Sequence, residues 1–132
     1  MVKEIRTMPD LTAFTGTQNY HILNFLRNLK FTDGWECLVR KLECFWLADI
    51  VASVQHMPKI RNNNFIVWRI VVKENKGLVE AYSDSIGQDE NGNSTFSKEQ
   101  LLYKQNIEYV DFPEGIFEWY QCDDVVLLKV EY

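Results

Sequence analysis

Residues able to do chemistry are few and scattered along this chain. Nucleophilic catalysis needs a Ser, Cys or Thr beside a general base, and the chain offers only two histidines, His21 and His56. His21 falls on an apolar-striped segment. His56 closes a helical stretch, where the helix dipole favours a protonated imidazole. Zinc needs converging thiolates or imidazoles, yet Cys37 and Cys44 are seven residues apart and no C-x-x-C occurs. Two helical turns separate such cysteines by about 10 Å, so no metal is expected, and no other cofactor. Residues 87–93 (GQDENGN) carry acids and two glycines, but an EF-hand register with Gly92 at its sixth position puts Gly87 first and Lys98 last, which no calcium loop tolerates. Asn91-Gly92 reads instead as a hairpin turn needing positive φ. Asp49 lies beside an apolar helical stripe, so its carboxylate must reach water or a partner. No catalytic motif stands out, and the chain is not expected to be an enzyme.

Charge is more informative. The 132 residues carry 14 Lys/Arg and 19 Asp/Glu, a net −5, which argues against a general nucleic-acid binder. Residues 1–73 hold ten basic and six acidic side chains, and residues 74–132 hold four and thirteen. The N-terminal half is therefore basic and the C-terminal half strongly acidic. Three cysteines cannot complete a disulfide framework, so a reducing cytoplasm is the expected setting. No signal peptide and no membrane-spanning segment are read in the sequence.

One domain is expected over residues 1–132, mainly helical over 1–60 and mainly sheet over 61–132. Trp35, Leu38, Val39, Leu42, Phe45, Trp46, Ile50, Val54 and Met57 recur at helical spacing. Asp33 and Glu36 offer a capping box at its start, a break is expected near Cys44–Phe45, and Pro58 should stop it. A shorter helix is expected over residues 20–29. Beyond residue 60, β-branched and aromatic runs broken by Gly, Asn and Asp predict strands at about 64–73, 78–86, 100–110, 116–121 and 125–130. The expected class is α+β, with N-terminal helices packed on one face of a C-terminal antiparallel sheet of about five strands. An up-and-down meander would bring the loop at 84–98 and the turn at 123–124 to one end. Asp84, Asp89, Glu90, Asp123 and Asp124 would then form a patch attractive to a basic partner, with Trp119 and Tyr120 as aromatic anchors.

Several fragments carry a resemblance over most of the chain. They are Phe14-Thr15-Gly16-Thr17 with Tyr20, Thr32-Asp33-Gly34, Trp46-Leu47-Ala48-Asp49, Trp68, Asp111-Phe112-Pro113, and Val126-Leu127-Leu128 with Glu131-Tyr132. Together they resemble a family of small bacterial proteins carried on plasmids, prophages and integrative elements. Here Val110 stands where the family has Thr, and Lys129-Val130 where it has Pro-Ser. The resemblance implies a mobile-element setting and, by analogy, an anti-CRISPR-like inhibitor. The partner would be a guide-RNA-loaded effector nuclease, whose nucleic-acid channel is positively charged. Two alternatives stay open. One is a small enzyme or ligand binder around Asp33, Asp49 and Asp111. The other is a nucleic-acid-binding regulator using Arg40, Lys41, Lys59 and Arg61, although direct nucleic-acid contact is not the expectation. A homodimer joining basic and acidic halves is compatible with each.

Overall fold

The strongest strand former in the chain becomes the middle of the sheet. The run FIVWRIVVK forms β2 (Phe65–Lys73), and its even-numbered residues Ile66, Trp68, Ile70 and Val72 are buried on one face. Glu74 and Asn75 both take left-handed φ, at 52° and 64°, the geometry of a tight two-residue hairpin. The chain returns as β3 (Lys76–Tyr82), antiparallel to β2. The structure, a computed structural model, describes residues 7–14, 19–22 and 29–132. The expected helix over 20–29 lies largely outside them, as do Thr15-Gly16-Thr17. At its described ends it is not helical, because His21 pairs with Phe31 as an antiparallel bridge.

The first half contributes β1 (Lys30–Phe31), α1 (Asp33–Leu42), α2 (Phe45–Ser53) and α3 (Pro58–Arg61). The long apolar stripe breaks where the sequence predicts. Glu43 adopts a left-handed cap at φ 51° and α2 restarts at Phe45. Pro58, expected to stop a helix, instead opens α3, since α2 has already ended at Ser53 and proline suits a first helical turn. The second half continues with β4 (Gly87–Gln88), β5 (Ser94–Thr95), β6 (Leu101–Ile107), β7 (Gly115–Cys122) and β8 (Val125–Leu128).

The protein is α+β, but its sheet is larger and wired differently from the expected meander. Six strands run in the order β1-β8-β7-β2-β3-β6, with β4-β5 a separate hairpin. β7 pairs with the free side of β2 rather than with β6. Residues 108–114 make this jump across the sheet end, held as Val110 N–H donates to Asn75 O and Glu74 N–H to the Glu114 carboxylate. Both edges of the apolar β2 are thereby hydrogen-bonded, so no polar backbone group of that buried strand is left over. The sixth strand, β1, comes from the N-terminal half and lies parallel to β8. The sheet is therefore neither wholly C-terminal nor wholly antiparallel.

Helices cover one face. Trp35 of α1 meets Trp119 edge-on at 5.2 Å, and Trp119 stacks on Trp68 at 6.1 Å. Trp46 of α2 meets Phe112 at 6.4 Å. These rings join the aliphatic residues in one connected core. A polar anchor binds the residues just after α2 to the sheet. Gln55 and Gln121 exchange amide hydrogen bonds at 3.1 and 2.7 Å, and Trp68 Nε1–H donates to Gln121 Oε1 at 3.0 Å. Buried Gln121 is satisfied throughout, as a core amide must be.

Candidate functional site

The odd-numbered residues of β2 point away from the helices, and Arg69 among them stands opposite Glu80 on β3 and Glu118 on β7. Glu80 in turn faces Lys104 on β6. Beyond Glu118 comes Lys129, whose Nζ donates to Glu118 Oε1. The result is a row of alternating sign across the outer face: Lys104, Glu80, Arg69, Glu118, Lys129. Opposite charges at facing positions stabilise a sheet. Here both carboxylates are also buried, each 7% exposed.

Burial arises because the loop between β3 and β6 folds back over this face. Its β4–β5 hairpin is held through Ser94, whose N–H and Oγ–H both donate to Glu118, while Arg69 Nη1–H donates to Ser94 O at 3.5 Å. Arg69 Nη2 also meets Glu80 Oε1 at 2.9 Å, and Tyr82 O–H donates to Glu80 Oε2 at 2.7 Å. Phe96 stacks flat on Tyr82 at 3.7 Å, with the Arg69 guanidinium 5.0 Å from the Phe96 centroid. Burial, reinforced by the Glu80 hydrogen bond, pushes the Tyr82 phenol up to about 12. Both carboxylates are matched by cations and donors. The network therefore works as a clamp.

The clamp presents acids at the hairpin tip. Asp89 accepts from the N–H groups of Asn91 and Asn93 at 2.9 and 3.0 Å, closing the turn, and Gly92 there has φ 80°. Asp84, Asp89 and Glu90 are exposed and make no ion pair among the described residues. Asn93 lines a cleft with Ile116, Glu118 and Lys129, whereas Asp123 and Asp124 line a separate cavity of about 360 Å³ with Arg61, Asn63 and Asn64. Strand directions do alternate as the meander requires. The loop, however, crosses the outer face instead of staying at the sheet end. Asp124 also approaches Lys30 at 3.6 Å.

Trp119 is a correction. It is 0% exposed, at the centre of the core, because β7 turns its odd-numbered side chains towards the helices. It cannot touch a partner. Tyr120, one residue on, faces outward and half-buried, grouped with Phe65 and Tyr132 at 5.1 and 5.2 Å and with Lys129 Nζ 5.9 Å from its ring.

The three alternative acids differ in their surroundings. Asp33 accepts from His21 Nε2 at 2.8 Å and from the Asn19 N–H. It is thus no helix cap. Glu131 does that work, reaching the Gly34 N–H at 3.2 Å, the Leu128 N–H at 3.0 Å and the Thr32 hydroxyl. Asp49 is exposed on α2, and Asp111 lines a groove with Trp46, Ile50 and Tyr109. Of the basic side chains, Arg40 pairs with Glu36 one helical turn away at 3.0 Å, while exposed Lys41, Lys59 and Arg61 are spread over α1 and α3. Cys37 and Cys44 are buried free thiols. Burial raises the Cys122 thiol, with Asp123 adding to it. Among the described residues no three His, Cys, Asp or Glu side chains stand close enough to share a metal ion, and no helix is long and apolar enough to cross a membrane.

Motif fragments distant in sequence meet in space. Thr32-Asp33-Gly34 joins Glu131, and Trp46 joins Phe112. Gly34 makes the first contact possible, since a Cβ there would fall 2.5 Å from Leu128 Cδ1 and 2.7 Å from Glu131 Oε1. The clamp residues Arg69, Glu80, Glu118 and Lys129 escape a reading of the sequence. Their only signal is a charge at the polar position of an otherwise apolar strand, which resembles ordinary solvent exposure.

The fold is an α+β sheet protein whose outer face carries a clamped acidic hairpin. Over residues 5–132 the chain matches the family of unknown function DUF6876, and it belongs to that family. No curated protein and no solved structure matches it.

Proposed function

We propose that the protein acts by binding another protein, without catalysis, through the outer face of its sheet. Support comes from one observation above all: the loop bearing Asp84, Asp89 and Glu90 is pinned by buried charge at its hairpin, while those acids face solvent and pair with no cation among the described residues. A pre-ordered anionic projection loses little entropy on docking, and it speeds encounter with a basic surface. The aromatic group of Tyr120, Phe65 and Tyr132 on the same face adds apolar area beside it. The partner so described has a cationic, nucleic-acid-binding surface. A guide-RNA-loaded effector nuclease is the concrete case, in the manner of an anti-CRISPR inhibitor from a mobile element.

The test is binding to a panel of guide-loaded nucleases by biolayer interferometry, with Asp84→Lys/Glu90→Lys as the probe. Both side chains are exposed, so folding is retained. Reversing two rim charges should weaken binding at least about tenfold and flatten its salt dependence. Absence of binding to every nuclease, or an unchanged affinity, counts against the proposal.

A further inference from the structure

Asp123 and Asp124 take no part in the proposed docking face. The cavity of about 360 Å³ that they line shares no lining residue with the clefts beside the hairpin. Its apolar lining is buried Leu29 and Ile60. Gln55 and Gln121 also line it, but their amides are engaged with each other, with Trp68 and with backbone carbonyls. Recognition of a ligand there falls to the exposed charges, Arg61 and Asp123, with the amides of Asn63 and Asn64 beside them.

Arg61 and Asp123 carry opposite charge into one cavity, yet neither makes an ion pair among the described residues. The second acid, Asp124, already has Lys30 at 3.6 Å. The backbones of the two lone charges are fastened. Arg61 N–H donates to Met57 O at 2.8 Å and Asp123 N–H to Asn64 O at 2.9 Å, while Asp123 O accepts from Gln121 Nε2 at 2.9 Å. The charges are thus pre-positioned and held short of contact with each other. A purely anionic ligand would meet Asp123, and a purely cationic one would meet Arg61. A ligand bearing both charges satisfies both.

We infer that this cavity binds a free α-amino acid with an apolar side chain. Its carboxylate takes the Arg61 guanidinium, whose fork matches a carboxylate. Its ammonium takes Asp123, and its side chain lies on Leu29 and Ile60. The volume sits at the small end of ligand sites, about 300–1,000 Å³, as a ligand of this size requires.

Titration of L-leucine into the isotope-labelled full chain, up to about 10 mM and read by amide shifts in NMR, tests this. Saturable shifts are expected at Asn63, Asn64, Asp123 and Asp124. N-acetyl-leucine lacks the ammonium and leucinamide lacks the carboxylate, so each should bind about tenfold or more weakly than leucine. Arg61→Gln should weaken leucine by a similar factor and leave leucinamide unaffected. Asp123→Asn should weaken leucine and leave N-acetyl-leucine unaffected. Both positions are exposed, and Asn tolerates the left-handed backbone at 123, φ 52°. Unchanged circular dichroism shows that each variant is folded. Absence of a saturable shift overturns the inference. So do blocked derivatives that bind as well as leucine, or variants that weaken all three ligands alike, as a merely structural role would.

Discussion

Replacing Glu118 with alanine strikes the point where the hairpin is fastened to the sheet. The carboxylate is 7% exposed and accepts from Lys129 Nζ, the Ser94 N–H and the Ser94 hydroxyl. Removing one member of a buried ion pair costs about 3–5 kcal/mol. Lys129 is 30% exposed and recovers part of its solvation from water, which lowers the expected loss to about 2–4 kcal/mol. Glu118→Gln keeps an acceptor for Ser94 and loses the ion pair, so about 1–2 kcal/mol is expected. Urea unfolding followed by circular dichroism gives the totals. Amide hydrogen exchange gives their location. Ile86, Asp89 and Ser94, whose N–H groups bond within the hairpin or to Glu118, should lose protection well beyond the global loss, while β2 amides should track it. A Glu118→Ala protein that loses less than about 0.5 kcal/mol, with its hairpin still protected, would refute the clamp.

Two further outcomes follow from the same contacts. Gly34→Ala should destabilise by about 1–3 kcal/mol in thermal unfolding, because the new Cβ displaces the Glu131 carboxylate that caps α1; a neutral effect would mean Glu131 is not needed there. The Tyr82 phenol is held near 12 in the folded protein against about 10 when unfolded. The stability it contributes is therefore full below about pH 10 and is lost as the pH climbs towards 12. Tyr82→Phe should abolish that limb of the alkaline unfolding profile, and persistence of the limb would assign it to another group.

Local patterns made much of the fold legible. The helical stripe from Trp35 onward, its break before Phe45 and the alternation of Ile66, Trp68, Ile70 and Val72 are all encoded by nearest neighbours along the chain. What stayed hidden depends on partners far away. The place of β7 beside β2 needs the turn at 108–114 to bond to the β2–β3 hairpin. Trp119 read as an anchor because period-two alternation does not say which face of a strand is covered.

The acidity of residues 74–132 is a property of the sequence alone. Which of these acids reach solvent is decided only by the folded chain. Glu80 and Glu118 vanish beneath the hairpin against Arg69 and Lys129, Asp124 turns to Lys30, and Asp84, Asp89 and Glu90 remain outside. Counting charges cannot separate these fates, because burial and opposite charge across strands depend on sheet register, a relation between residues tens of positions apart.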